Sequence, residues 1–364
     1  MKRNLILSLL FITVAGIFAC KKYHQDYPHV YTPPPPADTL PHEKKWIVTT
    51  IAGNGRPWFA DGSALTAEFR APQDVAVADD GTIYVADAIN HRIRKIANGQ
   101  VTTIAGFGIQ DTTSGNGVAA GFAFPNYLSF DGSGNLYTLD VEDPRVRKIS
   151  PAAFVSVVAG SGANGFADGR ADTSKFGKEC SGIVTDGQGN IYVTDWKNRR
   201  IRKISIDGQV TTIAGTGVAG FVNGNANTAQ FFDPAGLVID KQGNLFAGDR
   251  NLIRKITPAG IVSTFVGKDS IGYRDGQADV ALFSSIIDMV IDEQGNIYLS
   301  DEDRIRKITP QGLVSTIAGS TGGYKDGDAA SAKFLRPTGL GIDRQGNIYV
   351  ADDFNNLIRK ISFE

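Results

Sequence analysis

Residues 46–53 read WIVTTIAG and residues 101–106 read VTTIAG, which marks the first stretch as one strand-like segment of a repeat. No other segment of that repeat precedes it. At the opposite end the sequence stops at Ile361-Ser362-Phe363-Glu364, just where a VTTIAG-like segment would follow in the other copies. Because the two ends complement each other, we expect the N-terminal segment to pair into the last repeat and close a ring.

The repeat is recognised by Ile93-Arg94-Lys95-Ile96, which recurs at intervals of 52 to 55 residues. The further copies begin at Val146, Ile201, Ile253, Ile305 and Ile358. In the third copy, four runs rich in Val, Ile and Thr span 182–185, 190–194, 200–204 and 209–214, separated by Gly-rich turns. Four antiparallel strands per copy predict an all-β fold, a six-bladed β-propeller whose N-terminal strand closes the last blade. An open solenoid would carry capping repeats instead.

Two stretches of each copy resemble a known repeat. Residues 81–87 read GTIYVAD and residues 90–96 read NHRIRKI, and similar sequences occupy 346–352 and 355–361. They resemble the NHL repeat, and the resemblance covers residues 46–364 in six copies. It implies a six-bladed NHL-type propeller. WD40 repeats would show a shorter period, and kelch repeats would show a glycine doublet in each blade.

The first 19 residues have the pattern of a signal peptide. Lys2 and Arg3 precede an apolar run from Leu5 to Ala19 that is too short to span a bilayer comfortably. The run ends in Ile17-Phe18-Ala19-Cys20, which resembles a bacterial lipobox, although Phe18 departs from the usual small residue. The resemblance implies lipid modification of Cys20. The alternative is an ordinary cleaved signal followed by an incidental cysteine.

Residues 20–45 are predicted to be a lipidated tether, and residues 46–364 the propeller. The tether contains four consecutive prolines, Pro33 to Pro36, which favour an extended polyproline II spacer. We therefore expect a monomeric lipoprotein of the cell envelope, anchored to a membrane, with the outer membrane favoured over the inner.

Charge and cysteine content exclude several classes of protein. The formal net charge is −1, so nothing attracts the chain to nucleic acid. Only two cysteines occur, which excludes a disulfide framework. Cys180 is expected to begin an inner strand, at a position where other copies have proline, and it is interpreted as a small buried hydrophobic residue.

Residues that occur once in every copy are assigned to the scaffold. The aspartates at the end of the second strand are expected to accept backbone N–H groups of the following turn, and the arginines of the third strand to pair between blades. These aspartates are Asp87, Asp140, Asp195, Asp249, Asp301 and Asp352, and the arginines are Arg94, Arg147, Arg202, Arg254, Arg306 and Arg359.

Two further repeated elements are interpreted as structural. In the inter-blade inserts, Asp168 is expected to cap a short helical turn whose buried side is formed by Ala171 and Phe176, with Ala330 and Phe334 as their counterparts. Asp240, Asp292 and Asp343 are interpreted as turn residues, because their loops lack the alternating ligands and final glutamate of a calcium loop.

Function is sought where the copies differ. The loop between the second and third strands is shorter in the fourth and fifth copies, while longer loops carry Glu142, Asp143, Lys197 and Phe354 besides three candidate residues. At the start of the inner strands three copies have glycine, and the other three have a polar or aromatic residue. The candidate binding residues are Asp74, His91, Tyr127, Trp196, Asp288 and Asp353. We predict a shallow polar and aromatic site, the alternative being that they are ordinary surface and channel residues.

The residues favour a binding protein over an enzyme. Among residues 46–364 His91 is the single histidine, too few for a propeller lyase of the amidating type, and no glutamate occupies a recognisable inner-strand position as in calcium lactonases. Asp74, Asp288 and Asn126 could form only a poor oxygen cage. We therefore expect no catalytic residue, cofactor or metal, and a module that binds protein or glycan. The alternative is a metal-dependent propeller hydrolase, lactonase or lyase.

Overall fold

The repeats fold into six antiparallel sheets arranged as the blades of a propeller in the computed structural model, which describes residues 44–364. The predicted signal peptide, the lipobox cysteine Cys20 and the prolines of the predicted tether lie outside the described residues. Within residues 44–364 no helix is both long and apolar enough to cross a membrane.

Each blade has four main strands. The inner strands are Pro72–Val77, Pro125–Phe130, Ile183–Thr185, Pro234–Ile239, Ile286–Ile291 and Pro337–Ile342. The second strands are Ile83–Asp87, Leu136–Asp140, Ile191–Asp195, Leu245–Asp249, Ile297–Asp301 and Ile348–Asp352. The third strands are Arg92–Ala97, Val146–Ile149, Arg200–Ile204, Leu252–Ile256, Arg304–Ile308 and Leu357–Phe363. The outer strands are Gln100–Ala105, Phe154–Ala159, Gln209–Ala214, Ile261–Gly267, Val314–Ala318 and, in blade six, Trp46–Ala52.

Short elements complete the blades. Two-residue strands of the inserts pair with the outer strands of five blades, namely Gly62–Ser63, Gly115–Asn116, Gly169–Arg170, Gly224–Asn225 and Gly327–Asp328. In blade five a single bridge between Gly276 and Val314 takes this place. The 3-10 helices are Ala88–Asn90, Gly117–Ala119, Trp196–Asn198 and Asp353–Asn355.

The N-terminal strand closes the ring as predicted. Trp46–Ala52 pairs antiparallel with Leu357–Phe363, so that Ile47 faces Ser362 and Thr49 faces Lys360. The rings of Trp46 and Phe363 lie 5.2 Å apart. Each inner strand contacts the inner strands of both neighbouring blades, and that of blade six contacts that of blade one. The six-bladed propeller is confirmed.

One phenylalanine from each insert is packed between the blades. These six side chains are at most 1% exposed: Phe69, Phe122, Phe176, Phe231, Phe283 and Phe334. The burial predicted for Phe176 and Phe334 is confirmed. A single hydrogen-bonded turn is present, in which the N–H groups of Thr173 and Ser174 donate to the carbonyl oxygen of Arg170. The predicted cap is wrong, because Asp168 instead accepts hydrogen bonds from the backbone of Thr212 and from Arg202, which draws the insert onto the sheet. Ala330 is exposed.

The repeated arginines pair within their own blades, so the inter-blade prediction is wrong. Arg94 lies 2.6 Å from Asp87, and both side chains are inaccessible to solvent. Its other end binds Asp61 at 2.7 Å and the carbonyl oxygens of Ala60 and Glu68, all in the insert of the same blade. Each arginine thus fastens an insert to its sheet.

The repeated aspartates mostly bind the chain that enters the blade. Asp87 accepts the backbone N–H of Arg70, 17 residues upstream, rather than a backbone donor of the turn that follows. In blade two Asp140 does accept backbone donors of the following turn. There Arg147 donates to the carbonyl oxygens of Gly121 and Thr113 and has no ion pair with Asp140.

In blades two to six the hairpin turns between the inner and second strands, which run from an Asp to a Gly three residues later and are here called the Asp-Gly hairpin turns, are stabilised by the carboxylate of that Asp. Asp240 accepts the backbone N–H groups of Gln242 and Asn244 through Oδ1, and the Asn244 side chain through Oδ2. Asp292 and Asp343 repeat this pattern and add a tyrosine hydroxyl. The interpretation of these residues as turns is confirmed.

Candidate functional site

One face of the propeller collects the segments that differ between blades. Pro72, at the start of an inner strand, pairs with Asp87 at the end of the second strand. The inter-blade inserts and the loops between second and third strands therefore lie on the same side, here called the loop face. The Asp-Gly hairpin turns lie on the opposite side.

The loops between the second and third strands are shorter in blades four and five, so these two blades project less on the loop face. The second and third strands are joined there by Arg250–Asn251 and by Glu302–Asp303, two residues each, whereas the other four blades use four or five. Arg250 and Glu302 adopt φ values of 58° and 55°, which lets the chain reverse within so few residues. A depression of about 570 Å³, here called the loop-face groove, lies beside the short loop of blade four.

The loop-face groove has one aromatic wall and a polar rim. Trp196 of blade three forms the wall, and the inner-strand residues Ala235 and Ile286 lie at its base. The rim carries the exposed side chains of Arg250, Asp269, Ser270, Ile271 and Ser285. Its volume lies within the range of about 300–1,000 Å³ that is usual for small-molecule sites.

Local contacts hold the wall and rim in place. Trp196 begins a 3-10 helix that ends before Arg199, which has a φ of 52°. The Lys197 ammonium lies 4.3 Å from the centre of the Trp196 ring and 2.9 Å from the Glu179 carboxylate. These contacts orient the half-buried indole toward the groove.

On the far side, Arg250 is oriented by its neighbours. Its guanidinium lies 4.2 Å from the Phe232 ring and 3.7 Å from the Asp233 carboxylate. The buried Asn251 side chain donates to the carbonyl oxygen of Lys268 at 2.6 Å, which ties the short loop to the insert that carries Asp269. The groove is therefore preformed by contacts among its own walls.

A second cavity, of about 320 Å³, lies in the central channel and is here called the channel cavity. Asp74, Tyr127 and Asp288 line it, each as the third residue of an inner strand. Asp74 accepts the backbone N–H of Leu128 in the next blade at 2.6 Å, and Asp288 accepts that of Leu340 in the next blade at 2.9 Å. Each carboxyl group thus links two adjacent inner strands.

Burial shifts the pKa values of all three residues. It raises the pKa of Asp288 to about 7. Burial, together with the charge of Asp288, raises the pKa of Asp74 well above its ordinary value. The pKa of the Tyr127 hydroxyl is also raised, first by burial and then by the two carboxylates.

The two remaining candidate residues lie elsewhere. His91 Nδ1 is 2.6 Å from the carbonyl oxygen of Ala123, at the junction of blades one and two. Asp353 is 1% exposed, burial raises its pKa, and Arg336 lies 3.3 Å away. The predicted residues therefore do not form one site. Three meet in the channel cavity, Trp196 lines the loop-face groove, and a binding role for His91 or Asp353 remains a prediction.

The groove residues other than Trp196 were not found from the sequence. Asp269, Ser270 and Ser285 belong to an insert whose sequence recurs in other copies, and the recurrence indicates a structural role. The signal that could have found them is the shortened loop of blades four and five, because it uncovers the insert beside it. Cys180 is buried, its thiol donates to the carbonyl of Gly177, and burial raises its pKa, which agrees with a hydrophobic role.

Comparison with known proteins finds similarity to the NHL repeat in one segment of the chain. Residues 69–96 match the NHL repeat family model. Protein SUPPRESSOR OF QUENCHING 1 of Arabidopsis thaliana is 28% identical over 57% of this chain and 27% of its own length. Mouse Teneurin-3 is 25% identical over 87% of this chain and 13% of its own length. The chain thus spans only a small part of both relatives.

Solved structures share the architecture at lower identity. A protein of unknown function from Bacteroides thetaiotaomicron has a TM-score of 0.69 and 22% identity, covering 88% of this chain and 77% of that one. An auxiliary nutrient binding protein from the same organism has a TM-score of 0.67 and 17% identity, with the same coverage. A gluconolactonase from Xanthomonas campestris has a TM-score of 0.55 and 11% identity, covering 87% and 89%. At these identities the likeness is one of fold.

Proposed function

We propose that this six-bladed NHL-repeat propeller is a binding module of the cell envelope that holds a carbohydrate in its loop-face groove. The observation that carries the proposal is the groove itself, where Trp196 faces a rim of Asp269, Ser270 and Ser285. A sugar ring can lay its C–H face on an indole, while its hydroxyl groups bond to carboxylates and alcohols. Protein is the other partner class expected from the sequence, and the groove is narrower than a protein interface.

The polar rim is suited to a ligand with many hydroxyl groups. Asp269, Ser270 and Ser285 are exposed. Within residues 44–364 their side chains make no hydrogen bond, and Ser285 donates to Asp301 through its backbone N–H. Arg250 is held between Phe232 and Asp233 with its guanidinium partly exposed. The rim therefore offers both donors and acceptors to a ligand. Two of the similar propellers, from Bacteroides thetaiotaomicron and Bacteroides ovatus, are described as auxiliary nutrient binding proteins, which supports the proposal at the level of fold.

A glycan array probed with the purified propeller, followed by isothermal titration calorimetry with the soluble oligosaccharides that bind, tests the proposal. Trp196→Ala should weaken binding by at least about tenfold, because it removes the platform at the centre of the site. Trp58→Ala is the matched control, since Trp58 is 64% exposed on the insert before blade one, away from the groove. Equal binding by the Trp196→Ala protein, or an array without any bound glycan, would contradict the proposal.

Lipid anchoring through Cys20 is the second part of the proposal. Its support is the Ile17-Phe18-Ala19-Cys20 sequence after a basic start and an apolar run. Metabolic labelling with a fatty acid should mark the wild-type protein and not a Cys20→Ser protein. Fractionation of the envelope should place the label in the outer membrane. Label on the Cys20→Ser protein would show that Cys20 is not the anchor.

The residues present fit the hydrolase alternative poorly. Within residues 44–364 no group of three or more His, Cys, Asp or Glu side chains is arranged to hold a metal ion. The carboxyl oxygens of Asp74 and Asp288 already accept hydrogen bonds from backbone N–H groups. Asn126 is not among the residues that line the channel cavity. A calcium ion prefers about six to eight oxygen ligands.

A further inference from the structure

Two carboxyl groups converge on blade six inside the central channel. The third residues of five inner strands are, in blade order, Asp74, Tyr127, Gly236, Asp288 and Gly339, and the aligned residue of blade three is Gly182, just before its shorter strand. A Cβ added at Gly339 would overlap the Asp74 carboxyl group, so the absence of a side chain there leaves room for it. The next residue, Leu340, donates its backbone N–H to Asp288 at 2.9 Å. The carboxyl groups of blades one and five therefore meet over two consecutive residues of blade six.

Neither carboxyl group has a cationic partner within the described part of the chain. Five of the six aspartates that end the second strands form ion pairs with a buried arginine, at 2.5 to 2.9 Å. Asp74 and Asp288 accept hydrogen bonds only from backbone N–H groups, and the charge of Asp288 acts on Asp74. Buried charges are normally paired, so this pair lacks its counter-charge.

Tyr127 supplies an independent indication of a ligand. Its side chain lines the same cavity and is 7% exposed. Its hydroxyl group has no hydrogen-bond partner among residues 44–364, although a buried tyrosine hydroxyl usually has one. A polar atom that is open to the cavity and unpaired is therefore placed beside the two carboxyl groups.

Apart from Ser129, the other residues that line the cavity have apolar side chains. Beyond the third position, the inner strands present mostly apolar residues to the channel, among them Leu128, Leu237, Met289, Leu340 and Ile342. The cavity thus has polar groups at the end nearer the loop face and an apolar wall toward the hairpin turns. A matching ligand has a cationic head with hydrogen-bond donors and a short apolar tail.

We propose that the channel cavity binds a small organic ammonium ion, a primary amine whose N–H donors reach Asp74, Asp288 and the Tyr127 hydroxyl while its alkyl chain packs on the apolar wall. A protonated amine supplies both the missing counter-charge and three donors for three acceptors. This site is separate from the loop-face groove and does not depend on carbohydrate binding there.

Binding should strengthen between about pH 6 and pH 8. Asp288, whose pKa is raised to about 7, loses its proton over this range, and an alkylamine, like lysine, stays protonated up to about pH 10. The pKa of Asp74 is raised as well, by burial and by the charge of Asp288. The other charged group that acts on the site is Arg336, whose charge opposes that of the carboxylates at Tyr127. Within residues 44–364 no histidine lines the cavity, so a change over this range reports on the carboxyl groups.

Isothermal titration calorimetry of the purified propeller with n-butylammonium chloride at about pH 8 tests the proposal. We expect saturable binding that weakens by at least about tenfold in Asp74→Asn and in Asp288→Asn, and less in Tyr127→Phe. The asparagine amide oxygen can still accept the backbone N–H of the next blade, and at position 74 only the N–H of Val75 loses its acceptor. These variants should therefore fold, and circular dichroism verifies this. The matched control is Asp279→Asn at an exposed site, which should bind like the wild type.

Control ligands and a control variant distinguish amine binding in the channel cavity from binding in the loop-face groove and from non-specific binding. Butanol and sodium chloride should produce no saturable heat, because each lacks either the charge or the tail. Trp196→Ala should retain amine binding, so loss of the groove and loss of the channel site are distinguishable. Absence of saturable binding of n-butylammonium, equal binding by the Asp74→Asn/Asp288→Asn double variant, or binding of calcium chloride alone would each overturn the proposal.

Discussion

At the scale of single residues, the buried arginine of each blade is the dominant polar contact. In blade three Arg202 lies 2.7 Å from Asp195 and 2.7 Å from Asp168, and its side chain has no solvent exposure. Removing one partner of a buried ion pair leaves the other charge uncompensated, which typically costs about 3–5 kcal/mol. The arginine matters because it joins a second strand, a third strand and an insert.

Arg202→Ala should therefore lower the free energy of unfolding by about 3–5 kcal/mol. Arg147→Ala is the internal comparison, because Arg147 is equally buried but bonds only to carbonyl oxygens. Because no aspartate loses an ion-pair partner when Arg147 is removed, the decrease in the free energy of unfolding should be smaller. Urea denaturation of both variants measures this. A larger loss for Arg147→Ala would refute the role assigned to the ion pair.

Asp288 should make stability depend on pH. Burial raises its pKa to about 7 in the folded protein, against an ordinary value of 3.8. The folded state therefore holds an extra proton between these values, and stability falls as pH rises from about 4 to 7. Asp288→Asn should remove part of this fall in stability. The difference in stability between the variant and the wild type should therefore favour the variant more at pH 8 than at pH 5.

Urea denaturation at both pH values measures the difference, with Asp279→Asn as the exposed control. A variant that loses as much stability between pH 5 and pH 8 as the wild type would show that Asp288 is not the group responsible. Asp74 remains in the variant, so some pH dependence should persist.

At the scale of elements, a glycine after each outer strand sets the distance between that strand and the neighbouring loop. Gly215 has a φ of 102°, a region that side chains rarely adopt, and a Cβ there would overlap the carbonyl oxygen of Arg199. The glycine lets the end of the outer strand lie against the loop that carries Trp196. Its copies, including Gly106 and Gly319, have φ values of 97° and 92°.

Gly215→Ala should destabilise the protein by about 2–3 kcal/mol, since backbone strain alone costs about 1–3 kcal/mol and the steric overlap adds to it. Gly187→Ala in the same blade is the control, because nothing lies within 4 Å of its added Cβ and its φ is not positive. The melting temperatures of the two proteins measure the effect. Similar values for both would show that the loop accommodates the side chain.

At the scale of the whole molecule, ring closure depends on the N-terminal strand. Val48 is inaccessible to solvent and packs in a cluster with Ile305, Leu340 and Val350, which joins blades five and six. The next residue, Thr49, points outward and is exposed. Closure is thus an apolar contact as well as a ladder of hydrogen bonds.

Val48→Asp should release this strand, because it places an unpaired carboxylate in the apolar cluster at a cost of several kcal/mol. Thr49→Asp, on the opposite face of the same strand, should be nearly neutral. Limited proteolysis followed by mass spectrometry should detect cleavage near residues 44–52 in the first variant only. Equal resistance of the two variants would mean that the ring does not rely on Val48.

The sequence by itself determined the six blades, their closure by WIVTTIAG and the hairpin turns. Period, alternation and turn chemistry are local properties that repeat along the chain, so they can be read without knowing which residues meet. Tertiary structure alone decided that Arg94 binds Asp61 and not a neighbouring blade, and that Asp74 and Asp288 share a cavity while Trp196 faces a separate groove. These contacts join residues far apart in the chain, such as Asp288 and Leu340, which are 52 positions apart. Strand register and the radial position of each strand bring them together, and a repeat pattern does not contain that information.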